Sequence, residues 1–396
     1  MLDHTIFWHV YPLGATGAPV RDWTEADAGH RLPHLVGWLD HLIRLGCNGL
    51  LLAPVFASSS HGYDTLDYFR IDPRLGDEAD FDLLISACRE RGIEVLLDGV
   101  FNHVGAHHPM VGAGGPVKRD ADGHPVGWEG HDDLVELDHS DPRTADLVVA
   151  VMEHWLERGI AGWRLDVAYA VPARFWSEVT GRVRRRFPDA VFLGEVIHGD
   201  YAGIAGEGEL DMVTQYELWK GIWSSIRDAN FWELAHALER HDGFSERALM
   251  QTFVGNHDVD RIAETLGVDG AALAAVILFS LPGVPSVYYG DELALRGQKG
   301  SGYGADDPLR PALGEGPGEL TGQARRMAAL YRELIGLRRR HPWLSRGRVE
   351  VLERANTALS YVVSGAGHRL DVRLGLEPEL SAELLFDDGE CFSGSW

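Results

Sequence analysis

Short apolar runs alternate with amphipathic stretches along most of this chain, which indicates strands and helices in turn. A strand–helix–strand order predicts parallel strands joined by right-handed crossovers, and strands covered on both faces are nearly all apolar. The sequence therefore predicts an α/β fold built on a parallel sheet. The predicted strands are 6–13, 48–54, 93–98, 160–166, 190–195, 210–216, 250–255 and 284–289, and the predicted helices are 32–45, 81–91, 141–158, 173–187, 231–240, 271–281 and 320–340.

Two segments depart from this alternation. Residues 104–140 are rich in glycine and proline and are too long for a simple connector, so a functional insertion is expected after the third strand. Residues 345–396 carry short runs of alternating polarity, which predict a small β domain. The sequence thus predicts one large unit with an insertion and a C-terminal addition.

The fourth predicted strand places Arg164 and Asp166 two positions apart, so both side chains lie on the same face of the strand. Arginine keeps its proton, and its charge favours the ionised, nucleophilic form of a neighbouring carboxylate. A structural ion pair on a core strand would give the same pattern. This strand alone does not separate the two interpretations.

Similar polar residues end three further apolar runs. Asp98 and His103 follow the third strand, Glu195 ends the fifth, and His257 and Asp258 follow the seventh. Each stretch is a weak signal when it is taken singly. The four stretches in this order, with these neighbours, resemble the four signature regions of the α-amylase family of glycoside hydrolases, glycoside hydrolase family 13.

The resemblance implies a (β/α)8 TIM barrel with a short domain B inserted after the third strand and a small C-terminal β domain. The expected boundaries are 1–103 and 141–344 for the two parts of the catalytic barrel, 104–140 for domain B and 345–396 for the C-terminal domain. The run 162–168 is most similar to the cyclomaltodextrinase, neopullulanase and maltogenic amylase group. That group usually has an extra N-terminal β domain, which is expected to be absent because the first strand begins near residue 6.

The resemblance also implies roles for individual residues. Family members use a carboxylate nucleophile, matched by Asp166, and a carboxylic acid that protonates the leaving oxygen, matched by Glu195. Asp258 matches the residue that bonds the C2 and C3 hydroxyl groups of the reacting sugar, and the charges of Asp166 and Asp258 are expected to raise the pKa of Glu195. The other matches are Tyr63, which would stack under the sugar; Asp98, which would hold Arg164 in place; His103 and His257, which would bind sugar hydroxyl groups; and Arg261, which would steady Asp258.

The implied activity is retaining hydrolysis of α-glucosidic bonds in maltooligosaccharides or related small α-glucans, through a covalent glycosyl-enzyme intermediate. The expected bonds are α-1,4. Hydrolysis of α-1,6 bonds stays open, because the resemblance places Val167 both in members that cut α-1,6 bonds and in members with dual specificity. A glucanotransferase on the same scaffold shares the intermediate and stays an alternative. A non-catalytic amylase-like binding protein typically loses carboxylates that this chain keeps.

Single residues have plainer alternatives as well. The segment around Tyr63 would also fit an ordinary turn, and histidines at strand ends are often structural hydrogen-bonding groups. A zinc site built from the histidines and aspartates is a further alternative, but no HxxxH spacing supports it.

No cofactor is expected to be required. Many family members hold calcium between domain B and the barrel, and Asn102 matches one of the calcium ligands. Ala170 stands where calcium-dependent members often have histidine, and the aspartate-rich calcium loop after the first strand is not found. Because Asp166 and Glu195 supply the nucleophile and the acid, the mechanism needs no metal, although the resemblance allows a calcium ion.

Composition restricts the partners. The net charge of −24, from 36 basic and 60 acidic residues, disfavours nucleic acid and anionic membranes and is compatible with a neutral sugar. The three cysteines show no CxxC spacing, so no disulfide framework is expected, and Cys47 and Cys88 are expected to be buried.

The N-terminus lacks a basic segment before an apolar run, and no run of 18 apolar residues occurs, which predicts a cytoplasmic protein. The sequence leaves the oligomeric state open.

Overall fold

Eight parallel strands close into a barrel in the computed structural model, which describes residues 2–112 and 114–396. Each strand pairs with its neighbours in the chain, and the eighth pairs with the first. The α/β fold, the TIM barrel and all eight predicted strands are confirmed. The barrel strands are β1 Phe7–Val10, β2 Gly49–Leu52, β3 Glu94–Gly99, β4 Gly162–Leu165, β5 Val191–Gly194, β6 Met212–Thr214, β7 Leu249–Phe253 and β8 Val284–Tyr288.

The longer helices follow the barrel strands along the chain, and all seven predicted helices are among them. They are α1 Pro33–Leu45, α2 Glu78–Glu90, α3 Pro142–Glu157, α4 Ala173–Arg184, α5 Tyr201–Glu207, α6 Tyr216–Arg227, α7 Trp232–Ser245, α8 Ile262–Ser280 and α9 Gly322–Arg340.

Two of these helices, α5 and α6, were not predicted. The buried face of α6 includes Gly221, Ser224 and Ser225 beside larger apolar residues. A Cβ atom at Gly221 would lie 2.7 Å from the Cβ of Ala237 in α7, so the close packing of the two helices requires glycine there. Apolar residues nevertheless recur at helical spacing on one face of this segment, so the sequence carries the signal for α6 and the prediction overlooked it.

Helix α8 begins at Ile262, although the sequence predicted a start at 271. The prediction started late because the first part of the helix does not show a regular apolar pattern. Gly267 has a φ of 71° and a ψ of 179°, which interrupts the helix. By length and composition α8 is apolar enough to cross a membrane, and 67% of its apolar window is buried inside the protein. Core helices of folded barrels share this composition, so the finding adds no argument for a membrane span.

Three antiparallel sheets are added to the barrel. A hairpin of Phe56–Ser58 and Thr65–Ile71 follows β2 and carries Tyr63 in its turn. The segment expected to be domain B contains a three-stranded sheet of His103–Gly105, Gly127–Trp128 and His131–Glu136. The C-terminal region folds into a five-stranded sheet, as its alternating pattern predicted. Its strands are Arg348–Arg354, Ala358–Gly365, His368–Gly375, Ser381–Phe386 and Cys391–Ser395.

An apolar layer fills the lower part of the barrel. Its members come from strands all around the barrel, so their side chains can meet only in the barrel interior. They form a cluster separate from the main core. Burying each such side chain stabilises the fold by about 1.5–3 kcal/mol. Polar residues follow at the carboxyl ends of the strands, where TIM-barrel enzymes place their active sites. The layer consists of Phe7, Leu51, Leu96, Val191, Leu193, Met212, Leu249 and Val284.

Cys47 and Cys88 are buried, as predicted. Cys47 follows the end of α1 and Cys88 lies near the end of α2, while Cys391 in the C-terminal sheet is exposed. Burial raises the pKa of the Cys88 thiol to about 12 and that of the Cys47 thiol still further. These two thiols are therefore small apolar groups of the core.

Candidate active site

Arg164 is the centre of a buried cluster of three carboxylates. Its Nη1 donates to both carboxylate oxygens of Asp98, at 2.8 and 2.9 Å, and to Oδ1 of Asp166 at 2.7 Å. Its Nη2 lies 2.6 Å from Oε1 of Glu195. The four side chains are almost completely buried. The structure thus brings together the predicted nucleophile, the predicted acid and the residue predicted to hold the arginine.

The barrel register explains this meeting. Asp98 on β3 and Arg164 on β4 are directly paired across the two strands, and Arg164 also pairs with Leu193 on β5, two residues before Glu195. Asp166 directly follows the end of β4. Side chains at matching heights on three adjacent parallel strands must converge at one mouth of the barrel.

Val167, which follows the nucleophile, has an unusual backbone. Its φ is 49°, a left-handed conformation that is a genuine outlier for a β-branched residue. The conformation points its backbone N–H at Glu195, where it donates to Oε2 at 3.0 Å. Strain of this kind persists where the surrounding structure enforces it, and here it links the turn after β4 to the predicted acid.

Burial governs the protonation of the cluster. Burial is the largest cause that raises the pKa of Glu195 to about 7, and the charges of Asp166 and Asp258 raise it further, as predicted. Burial also raises the pKa of Asp166 to about 6, against the opposing effect of Arg164. Arg164 favours the ionised form of Asp166, as expected, but burial outweighs it, and a pKa of about 6 still leaves Asp166 ionised at neutral pH. Burial likewise raises the pKa of Asp98 to about 8, against the opposing effect of Arg164, from which Asp98 accepts two hydrogen bonds.

These shifts predict a narrow pH optimum. Asp166 must be ionised to attack, so kcat/KM should fall as the pH drops through about 6. Glu195 must be protonated to donate, so kcat/KM should fall as the pH rises through about 7. The two limbs will report the coupled cluster because both groups contact Arg164. A pH profile of kcat/KM with maltotriose tests this, and an alkaline limb that stays flat would contradict the assignment of Glu195.

Asp258 lies at the rim of the cluster and is held by Arg310. Nη2 of Arg310 donates to Oδ1 of Asp258 at 3.0 Å, and its Nε donates to the carbonyl oxygen of His257 at 3.0 Å. The guanidinium also lies 4.4 Å above the ring of Tyr11. The side chain of Asp258 is 35% exposed, so it can reach a ligand in the mouth.

The prediction that Arg261 steadies Asp258 is wrong. Arg261 is completely buried, and it donates to the carbonyl oxygens of Tyr289 (2.9 Å) and Leu309 (2.9 Å) and to Oδ1 of Asp291 (3.0 Å). It fixes the segments after β8 and does not face the mouth. Proximity in sequence suggested Arg261, whereas Arg310 arrives from a distant loop that local spacing does not connect to Asp258.

Tyr63 and His257 meet at the mouth. The Tyr63 hydroxyl donates to Oδ2 of Asp98 at 3.0 Å and contacts Nε2 of His257, and the two rings are parallel with centroids 5.4 Å apart. The same Nε2 lies 3.1 Å from Oδ2 of Asp258. Burial holds the pKa of His257 well below its usual value, so the ring is neutral. The structure places both residues beside the acids, as predicted.

His103 makes hydrogen bonds within the protein. Its Nε2 lies 3.1 Å from the carbonyl oxygen of Tyr63, its Nδ1 lies 3.2 Å from Nδ2 of Asn102, and its ring stacks on Trp128. Burial lowers the pKa of His103 to about 4, so the ring is neutral. Sugar binding by His103 stays a prediction, and it would require one of these hydrogen bonds to be exchanged.

Besides Arg310, sequence reasoning missed Tyr216 and Asn256. The Tyr216 hydroxyl donates to Oε1 of Glu195 at 3.2 Å and accepts from Nδ2 of Asn256 at 2.7 Å. Tyr216 begins α6, the helix that was not predicted. The only available signal for Asn256 was its position in the run that ends with His257 and Asp258.

Comparisons with known proteins agree with this geometry. The family model described as the α-amylase catalytic domain matches residues 31–114 and 128–308. A cyclomaltodextrinase from a Bacillus species is 30% identical over 90% of this chain and 70% of its own length. An intracellular maltogenic amylase from Bacillus subtilis (strain 168) is 30% identical over 88% of this chain and 62% of its own length.

A solved structure has the same architecture. The cyclic α-maltosyl-(1→6)-maltose hydrolase from Arthrobacter globiformis, in complex with that cyclic sugar, matches with a TM-score of 0.82 and 25% identity, over 100% of this chain and 99% of the other. The chain spans less than two thirds of the length of the maltogenic amylase. The family model includes all the strands whose ends carry the acid cluster and Asp258. The chain therefore belongs to the α-amylase family and is a glycosidase of that family.

Proposed function

We propose that this protein is a retaining hydrolase of α-glucosidic bonds in maltooligosaccharides or related small α-glucans. The observation that carries the proposal is the shared contact of Asp166 and Glu195 with Arg164, in a buried mouth where Asp258 remains partly exposed. Burial gives the two carboxyl groups pKa values of about 6 and about 7, so that around neutral pH one can be ionised while the other holds a proton.

The proposed reaction has two displacements. Because Arg164 binds Oδ1 of Asp166, we assign the attack on the anomeric carbon to Oδ2. The bond to the leaving oxygen breaks as that oxygen takes the proton of Glu195, and Asp166 becomes covalently bound to the sugar. Glu195 then removes a proton from water, and the resulting hydroxide oxygen displaces Asp166 from the anomeric carbon.

Two inversions predict that the first product keeps the α configuration. We expect proton NMR during the hydrolysis of maltotriose to show the α-anomer before the β-anomer, which should grow only by mutarotation. The β-anomer appearing first would contradict the covalent mechanism. We also expect short oligosaccharides to react faster than raw starch, because domain B is short; rapid digestion of raw starch would contradict this size preference alone.

Transglycosylation is the second candidate activity, because water and a sugar hydroxyl group can attack the same intermediate. The similar solved structure is named a hydrolase of cyclic α-maltosyl-(1→6)-maltose, which supports hydrolysis as the main reaction. Product analysis at increasing concentrations of maltose as acceptor distinguishes the two. Longer products that dominate even at low acceptor concentration would favour the transferase.

We further propose that activity requires no metal. Asn102, which the resemblance connects with calcium, makes another contact, since its amide faces Nδ1 of His103. In the described residues, three groups of acids and histidines lie close enough to share a cation, and none includes the acids of the active site. They are His30 with Asp77 and Asp80; Asp120 with Asp122 and His124; and His341 with Asp388 and Glu390.

Dialysis against EDTA is therefore expected to leave kcat unchanged, since Asp166 and Glu195 supply both chemical groups. The measurement is kcat with maltotriose before and after dialysis, with a thermal melt of the same samples. A loss of activity that calcium restores and magnesium does not would show that Asn102 and the acids of domain B form a required site.

A cytoplasmic location also stays a proposal. One relative is named intracellular, and the acidic composition fits a neutral, soluble substrate. Fractionation of the source cells, followed by detection of the protein, would test it.

A further inference from the structure

A groove of about 240 Å³ lies between two helices on the outside of the barrel and includes no residue of the active site. Helix α1 forms one wall and helix α9 the other. One water occupies about 30 Å³ in the liquid, so the groove is large enough for a small organic molecule. We call it the arginine groove, and its main lining residues are His41, Arg44, Leu45, Leu320, Arg325 and Arg332.

Small residues of α9 open the groove. The lining residues of each helix recur every three or four positions, so each helix turns one face to the groove. On α9 the middle of this face consists of Ala328 and Ala329, whose short side chains leave room between the helices. Arg325 lies one turn before the alanines and Arg332 one turn after them, while Arg44 lines the groove from α1. Three guanidinium groups therefore surround one space.

These three arginines have no anionic partner. Within residues 2–112 and 114–396, the side chains of Arg44, Arg325 and Arg332 make no hydrogen bond or ion pair, and no carboxylate lines the groove. Asp40, one turn before Arg44 on α1, pairs with Arg91 at 2.8 Å instead. Three like charges around one groove repel each other, and a bound anion would relieve this repulsion.

His41 adds a hydrogen-bonding group to the groove. The side chain is buried, and its Nε2 lies 3.0 Å from Oε1 of Glu292, an acid that follows β8. The other oxygen of Glu292 accepts from the backbone N–H of Gly290 at 2.8 Å, and Trp38 packs edge-on against the His41 ring with centroids 5.3 Å apart. These contacts fix the ring. They leave Nδ1 as the nitrogen that a ligand in the groove can engage.

A phosphate group matches these donors better than other anions do. Guanidinium groups bind phosphate oxygens through two parallel hydrogen bonds, and a phosphate ester carries about −1.5 to −2 charges at neutral pH, more than one carboxylate. A nucleic acid would also have to approach the rest of a surface whose net charge is −24. A small phosphorylated molecule meets only the positive groove.

We propose that the arginine groove binds phosphate, either as the inorganic ion or as the phosphate group of a small ester. Arg44, Arg325 and Arg332 hold the phosphate oxygens, and His41 contacts the remainder of an ester. The two sources of phosphate share the chemistry that the guanidinium groups recognise. This inference is independent of the proposed function, because no residue of the groove takes part in the reaction.

The test measures binding by calorimetry at constant ionic strength near neutral pH. The probes are inorganic phosphate, glucose 6-phosphate and glucose. Arg44→Gln, Arg325→Gln and Arg332→Gln each remove one charge from the groove and keep a long side chain that suits a helix. The matched control is Arg326→Gln, which removes an exposed arginine of α9 that does not line the groove.

The Kd of glucose 6-phosphate is expected to rise by about tenfold in each groove variant and to stay unchanged in Arg326→Gln, because each groove arginine supplies charge-assisted hydrogen bonds. The wild-type Tm should rise with the concentration of the ester, and glucose should not bind. An equal Kd for inorganic phosphate would assign the site to the ion itself, whereas tighter binding of the ester would support the contact with His41.

Three results would overturn the proposal. They are a failure of both phosphate probes to bind, binding of glucose as tight as that of its phosphate ester, and a loss in Arg326→Gln equal to the loss in the groove variants. No step of the test depends on hydrolysis. A failure of the proposed function would therefore leave the result for the groove intact, and the reverse holds as well.

Discussion

Asp166→Asn is expected to lower the turnover of maltotriose by roughly a thousandfold or more, because the change removes the group that forms the covalent intermediate. An asparagine oxygen can still accept the hydrogen bond that Arg164 gives to Oδ1, and the backbone N–H of residue 166 keeps its hydrogen bond to Gly99. The substitution also relieves repulsion among three carboxylates that share one guanidinium. The barrel should therefore fold as the wild type does.

The measurement is kcat for maltotriose together with a thermal melt. Asp189→Asn is the matched control, since Asp189 is exposed in the turn before β5, at the opposite end of that strand from Glu195. We expect the Tm of Asp166→Asn to stay within about 4 °C of the wild type. If the variant keeps more than about a tenth of the wild-type rate, Asp166 is not the nucleophile.

The barrel could be predicted because its strands are buried on both faces. Continuous apolar runs such as that of β2 leave little ambiguity when helical spacing follows each of them. The first part of α8 escaped prediction because the non-helical Gly267 interrupts the helix, and α8 as a whole shows almost no amphipathic period. Helix α6 does show helical apolar spacing, so its omission is an oversight of the prediction and not a missing signal.

The acid cluster was predictable for a different reason. Asp98, Arg164 and Glu195 lie on or directly after adjacent strands, so identifying the strands was enough to bring the side chains together. Arg310 and Tyr216 come from a loop and from a helix start, whose positions depend on the tertiary fold. Arg261 was misassigned because distance along the chain was the only guide to its partner. The elements that hold the acids in place were thus harder to find than the acids themselves.

The contacts of Glu195 raise a question about its proton. The backbone N–H of Val167 and the hydroxyl of Tyr216 donate to its carboxylate, and the positive Nη2 of Arg164 lies 2.6 Å from its Oε1. Tyr216 accepts from Asn256, which leaves its own hydroxyl hydrogen for Glu195. This arrangement fits the ionised form, so the donors oppose the effect of burial on the pKa. A leaving oxygen of the substrate would give the protonated form the acceptor that it lacks, which links proton uptake to substrate binding.

Glu195→Gln is therefore expected to have effects that depend on the leaving group. The amide cannot donate an acidic proton, so hydrolysis of maltotriose should slow by roughly 10²–10⁴-fold, the usual contribution of general acid catalysis. An aryl α-glucoside with an activated leaving group needs little protonation, so the burst of its first displacement should be nearly as fast as in the wild type. Stopped-flow release of the phenol, measured beside steady-state kcat for maltotriose, separates the two steps. Equal losses for both substrates would show that Glu195 orders the cluster around Arg164 and does not supply the proton.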